Sequence, residues 1–279
     1  MKDEIAIKFT GDRATDAVLP AYQATESLFG LSKAMMISAN YLFEGRVRRR
    51  RFEDLPFDFD LVATRPGSFE ALLQMTYSPE ALTIYSAIGA GSTANLLTDF
   101  VKSIFRRATG QDSASRIESL EQERLLDAGD LVALEDAIEP ALRQAHRSIG
   151  EGANNIIIIT GDGNNVKLGH ETKAYVNSSI PDNEIRVKSM SVASFNANTG
   201  YGRVYDFEEG RTIPFQLPAR VDPKTVEALV YSFTNYTRRR WSGADDRSAV
   251  AFKYKTILSV DGKVKKVLPL QARREIEDL

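Results

Sequence analysis

Cysteine is absent from the 279 residues, and histidine occurs only twice, at His146 and His170. The first absence excludes disulfides, thiolate zinc sites, iron–sulfur clusters and a cysteine nucleophile. The second excludes a histidine-rich metal site. Neither sign of charge dominates, since 36 Lys and Arg against 38 Asp and Glu leave a formal charge of -2. A chain that binds nucleic acid over its whole surface is usually basic, so any such binding must come from a local patch. The opening run MKDEIAIKFTGD lacks the apolar core of a signal peptide, and a cytoplasmic protein is expected. The stretch 81–98 is uncharged and near spanning length, but it carries Ser, Thr, Asn and two Gly. It reads as a core helix rather than a membrane span, and no membrane partner is expected.

Catalytic signatures are missing too. Neither histidine lies in a G-x-S-x-G or H-E-x-x-H context. Gly89-Ala90-Gly91-Ser92-Thr93 has no Gly-Lys-Ser/Thr after it, so it is no P-loop. Asp162-Gly163-Asn164-Asn165 lacks the repeated acids and distal glutamate of a calcium loop and reads as a hairpin turn. No catalytic residue, metal site or cofactor is expected.

What remains is ordinary globular material, 43% hydrophobic and 27% charged, enough for a packed core. Alternation of Ile5, Ile7 and Phe9 with polar neighbours predicts a strand. Apolar residues recurring from Leu28 to Leu42 predict a helix over about 20–43, ended by Gly45. Strands are expected at Arg46–Phe52, Phe57–Ala63 and Phe69–Tyr77, followed by a helix reaching about Arg107. A further helical region should carry Leu131, Leu134, Ile138 and Leu142, with Pro140 as a kink or restart. The first half, 1–150, thus reads as an α+β domain, an antiparallel sheet with helices on one face. A second, β-rich domain is placed at 151–279, opening with a hairpin through Ile156–Ile159.

Beyond residue 185 the pattern sharpens. Strands at Arg186–Phe195, Tyr201–Phe207 and Arg211–Leu217 are separated by N-A-N-T-G and E-E-G turns. Asp222 caps a helix with Pro223 at its first position. Strands at Ala249–Val260 and Lys263–Leu270 then flank an Asp261-Gly262 hairpin turn. The order β-β-β-α-β-β is that of an OB-like five-stranded barrel, with other small barrels or curled sheets as alternatives.

Three clusters are candidate binding residues for single-stranded nucleic acid. Tyr201, Arg203, Tyr205 and Phe207 share one strand face, which Arg211 and Phe215 would extend; OB folds present such residues to single strands. The competing reading makes those aromatics the barrel core, because Gly202, Val204 and Asp206 opposite look like a poor interior. Arg48 and Arg50 belong to an arginine run that could grip phosphates, or pair across strands with the acids of FEDLPFDFD. Arg239 and Trp241 end the barrel helix, where basic residues suit the helix dipole and the indole could stack on a base or plug the barrel.

The runs Gly11-Asp12, Tyr22, Glu26 to Ala34, Asn40 to Arg48 and Pro66 to Glu70, with Ser194 to Asp206 and Gly210 to Phe215, resemble a family of bacterial proteins without an assigned activity. The resemblance implies no catalytic residue. A non-enzymatic subunit of a multi-gene bacterial system, such as phage defence, would be of that type. The leading expectation is a non-catalytic binding or assembly protein, a homo-oligomer or one with a protein partner. Small residues of the second helix (Ala87 with Gly91, Ala90 with Ala94) would permit close helix approach. The alternatives are a membrane-active effector exposing the 81–105 helix, and an enzyme with an unrecognised site.

Overall fold

The computed structural model describes residues 2–50, 52, 55–64, 69–79, 96–111, 128–160, 165–242, 248–260 and 262–279. The chain divides into two compact units, Met1–Leu125 with Leu134–Asn177, and Leu126–Ala133 with Ser178–Leu279. The elements of the first part are β1 (Lys2–Thr10), α1 (Ala21–Glu44), β2 (Phe57–Thr64), β3 (Glu70–Tyr77), α2 (Leu96–Ala108), α3 (Ala128–Ala145), β4 (Asn155–Ile159), β5 (Val166–Leu168) and α4 (His170–Asn177).

The five strands form one antiparallel sheet in the order β2-β3-β1-β4-β5. Period-2 alternation puts Ile5, Ile7 and Phe9 on the buried face, in register with Leu73, Ala71 and the Ile158–Ile156 pair of β4. Helix α1 covers that face. Its Phe43 packs 5.6 Å from Phe57 and 5.7 Å from Tyr77, which are themselves cross-strand partners. Tyr41 stacks on Phe100 of α2 at 6.0 Å. Helix α3 runs unbroken through Pro140. Gly30 of α1 meets α3 backbone to backbone: a Cβ there would stand 2.4 Å from both Ala141 O and Ala145 N.

Two expectations fail here. The hairpin β4–β5 and the helix α4 belong to the first unit, not to a second domain beginning at 151. Its isoleucines satisfy the edge of β1 that β3 leaves open, and local alternation looks the same whichever sheet a strand joins. Arg46 to Arg50 form no strand, and residues 47–49 have no regular structure. Gly45 ends α1 in the left-handed region (φ 67°), donating to Tyr41 O at 2.8 Å. Arg46 and Arg48 then turn back onto Glu44, at 2.8 and 2.9 Å. The acids Asp58 and Asp60 of β2 oppose Thr76 and Gln74, so the expected cross-strand ion pairs do not form there. The small-residue face at 87–94 and the loop at 161–164 lie outside the described residues.

The second unit carries β6 (Ile180–Phe195), β7 (Tyr201–Asp206), β8 (Arg211–Gln216), α5 (Pro223–Ser242), β9 (Ala249–Leu258) and β10 (Val264–Arg273). Here β6, β7 and β8 form a meander and β9–β10 a hairpin. The barrel closes through antiparallel β6–β9 and parallel β8–β10 pairing. A 1-2-3-5-4-1 circuit with a helix between strands three and four is the OB-like arrangement expected from the sequence. Met190, Val192, Val204, Ile213, Phe215, Val250, Phe252 and Val267 fill the interior. Asp222 caps α5 as expected: its carboxylate accepts from Thr225 N at 3.1 Å and from the Thr225 hydroxyl at 2.6 Å. Arg273 of β10 also reaches Asp222, at 3.1 Å, tying the helix start to the last strand.

Candidate nucleic-acid interface

Strand β7 buries Gly202, Val204 and Asp206 and leaves Tyr201, Arg203 and Tyr205 half-exposed on the outside. The face that looks a poor interior in sequence is the interior, and two features make it one. The ring of Phe215 occupies the side-chain space of Gly202, where a Cβ would stand 2.4 Å from Phe215 Cε1. Asp206, 3% exposed, is neutralised by Lys188 of β6 at 2.7 Å. It also accepts from the backbone N–H groups of Glu208 and Glu209, at 2.9 and 3.2 Å. Burial alone would raise the Asp206 carboxyl, but the Lys188 ammonium and these amides more than offset it and hold it below its usual range. Burial pulls Lys188 down, and Asp206 with Glu208 reverse that, leaving it raised.

The outer face is a graded row of aromatic and basic groups. Register with β8 sets Tyr201 beside Gln216, Arg203 beside Pro214 and Tyr205 beside Thr212. Strand geometry spaces Tyr201 and Tyr205 about 13 Å apart, with Arg203 between them. The Arg203 guanidinium is aligned along β8, donating to Thr212 Oγ1 at 3.1 Å and Thr212 O at 3.2 Å. Tyr205 meets Phe207 edge to face at 5.4 Å, and Phe207 is 46% exposed. Lys266 of β10 holds its ammonium 5.6 Å from the Tyr201 ring centroid. Lys266 is not singled out by sequence, because only the parallel β8–β10 closure brings the last strand to this face. Rings that offer π-faces beside guanidinium and ammonium donors suit stacked bases and phosphates.

The other sequence candidates lie on other elements or outside the described side chains. Arg48 and Arg50 belong to the first unit, Arg48 paired with Glu44 and Arg50 exposed beyond α1. Arg239 is exposed near the end of α5, and the side chains of Arg211 and Trp241 lie outside the described residues.

A family model described as a domain of unknown function, DUF7946, matches residues 5–177. The chain belongs to that family. A second model, DUF7947, described as a family of unknown function, matches residues 184–273, the barrel strands. No curated protein and no solved structure matches the chain. The DUF7946 segment ends at Asn177, the last residue of α4, where the first compact unit also ends. Both histidines fall in that DUF7946 segment. His170 is exposed at the start of α4. His146 is fully buried, its Nδ1 2.6 Å from Leu142 O and its Nε2 2.9 Å from Thr172 Oγ1. Among the described residues, no three His, Asp or Glu gather as a metal site would require, and no helix is long and apolar enough to cross a membrane.

Proposed function

We propose that the barrel is a non-catalytic binding module for single-stranded nucleic acid, and that its contact face is the row Tyr201, Arg203, Tyr205 and Lys266. The observation that carries this reading is the outward orientation of the aromatic-basic stripe, with a lysine from the closing strand set over Tyr201. Strands two and three of this barrel type are where single strands are held, by stacking on rings and by cations along the backbone. An acidic chain with a local basic-aromatic face meets the requirement that binding come from a patch.

Fluorescence anisotropy of a labelled oligothymidylate across about 25–200 mM salt tests the proposal, with log Kd rising linearly in log salt. Stacking contributes about 1–3 kcal/mol per base. The Tyr201→Ala/Tyr205→Ala variant should therefore bind at least tenfold more weakly while keeping its urea midpoint. Lys266→Gln should weaken binding and flatten the salt slope. Flat anisotropy at the lowest salt, or a folded double variant that binds like wild type, would show the stripe to be ordinary surface.

A further inference from the structure

The first unit holds a second, unrelated concentration of positive charge. A half-open cleft of about 370 Å³ lies where α1, the end of α3 and α4 meet, over Pro140. Its polar lining among the described residues is Lys33, Arg143, Gln144, Arg147, Lys173 and Asn177, four cations and two amides without a carboxylate. The helix contacts assemble it. Gly30 lets α1 lie directly on the α3 backbone, and Lys33 follows one turn later on α1. Ser27 and Ser148, buried and hydrogen-bonded to each other at 3.0 Å, fix the turn that carries Arg147.

Two of the cations have evident structural duties. Arg143 Nε donates to Val176 O at 2.8 Å and its guanidinium pairs with Glu139 at 2.5 Å. Lys173 Nζ donates to Ile149 O at 2.5 Å. These bonds tie α4 to α3 and to the following turn. Lys33 and Arg147 are not needed for that. Among the described residues the Arg147 side chain reaches only Glu26, at 3.6 Å and 63% exposed, and Lys33 sits 5.9 Å over the Phe29 ring. Among the described residues, neither Lys33 nor Lys173 has a carboxylate partner. Glu139 and Glu26 offset the charge of Arg143 and Arg147, while Lys33 and Lys173 remain as like charges that repel one another and favour an anion in the cleft.

We infer that this cleft binds a small molecule bearing a phosphate or pyrophosphate group. Two guanidinium groups and two ammonium groups, from three helices and the turn after α3, approach from different directions. A tetrahedral phosphate offers oxygens to all of them, whereas one planar carboxylate is matched by a single guanidinium fork. The cleft volume exceeds that of a bare phosphate and falls within the range of small-ligand pockets, so the phosphate carries a further group. The site lies in a different unit from the barrel face, and its test is independent of the barrel's.

Isothermal titration calorimetry of the full chain at low ionic strength, with pyrophosphate, adenosine monophosphate, adenosine and citrate as titrants, decides it. Pyrophosphate and adenosine monophosphate should bind, adenosine should not, and citrate should bind at least tenfold more weakly than pyrophosphate. The Lys33→Gln/Arg147→Gln variant, which leaves the bonds to Val176 O and Ile149 O intact, should keep the wild-type Tm and lose at least tenfold in pyrophosphate affinity. Absence of heat with both phosphate titrants, equal affinity for citrate, or unchanged affinity in the folded double variant would overturn the assignment. Should that variant unfold, the single variants Lys33→Gln and Arg147→Gln replace it: each should bind pyrophosphate more weakly than wild type, and unchanged affinity in both folded variants would likewise overturn the assignment.

Discussion

Acid should destabilise this protein through one residue before its carboxylates come into play. His146 is fully buried, and Leu142 O can only accept, so Nδ1 carries the proton and Nε2 presents its lone pair to the Thr172 hydroxyl. Hydrogen bonding would tolerate an imidazolium, since Thr172 Oγ1 can accept from Nε2–H and turn its own proton to Gly169 O, 3.0 Å away. Burial of the charge is what opposes protonation. It lowers the pKa from 6.5 to about 4, the bond to Leu142 O working against the shift and Lys173 adding to it. The folded chain therefore binds fewer protons than the unfolded one across that window. The stability is fully present above pH 6.5 and is lost as pH falls toward the folded pKa of about 4. At ~1.36 kcal/mol for each pH unit, the whole loss is about 3 kcal/mol. Urea unfolding of wild type and His146→Asn at intervals from pH 7.5 to 4 measures it. The variant keeps a donor near Leu142 O and cannot titrate. Its stability should start lower at neutral pH and fall less steeply, the two curves converging by about 3 kcal/mol. Parallel curves would refute the reasoning.

Gly202→Ala should cost about 2–3 kcal/mol in urea unfolding of the barrel, because the new Cβ meets Phe215 Cε1 and Ser194 O at 2.4 Å. Gly30→Ala should also destabilise, by about 2 kcal/mol, although alanine favours a helix by about 1 kcal/mol. Its Cβ would press on the backbone of α3, and a stabilised variant in thermal melts would disprove that contact. Asp206→Ala should lose about 2–4 kcal/mol and Asp206→Asn about half of that, since asparagine still accepts from Glu208 N and Glu209 N but leaves Lys188 without the buried charge. The lowered carboxyl makes this stability present above its unfolded value of 3.8 and lost as pH falls through the folded value, so wild type and Asp206→Asn should converge in acid.

The strands and turns of the barrel were legible because those decisions are local. Alternation gives the strands, N-A-N-T-G, E-E-G and Gly262 mark the turns, and Asp222-Pro223 gives the helix start. The orientation of β7 was not legible, because alternation leaves both faces open to the core. Phe215 from β8 and Lys188 from β6 decide it, one filling the space at Gly202 and the other neutralising Asp206. The membership of β4 in the first sheet was hidden for the same reason: its partner is β1, almost 150 residues earlier by the register Phe9–Ile156. The arginine run misled through composition. β-branched Val47 amid arginines looks extended, but Glu44, one turn before and across the Gly45 cap, draws Arg46 and Arg48 back to the helix end.

The aromatic groups on the outside of β7 stand apart from the barrel's buried core, which is the physical argument for reading them as a contact face. Val192, Val204, Ile213, Phe215, Phe252 and Val267 already fill the interior, and none of that packing uses Tyr201, Tyr205 or Phe207. A solvent face built only for solubility would carry charged side chains at those positions. Instead each ring is braced, Tyr205 against Phe207 and Tyr201 under Lys266. Arg203 is aligned along β8 by Thr212. Side chains already held in place forfeit less rotamer freedom on binding, about 0.5–1.5 kcal/mol for each one. With three such groups in a row, that saving is comparable to the stacking energy of one base, about 1–3 kcal/mol. On the proposed reading such a face would need few contacts to bind measurably, and would gain little from a sequence-specific ligand because every base offers a π-face.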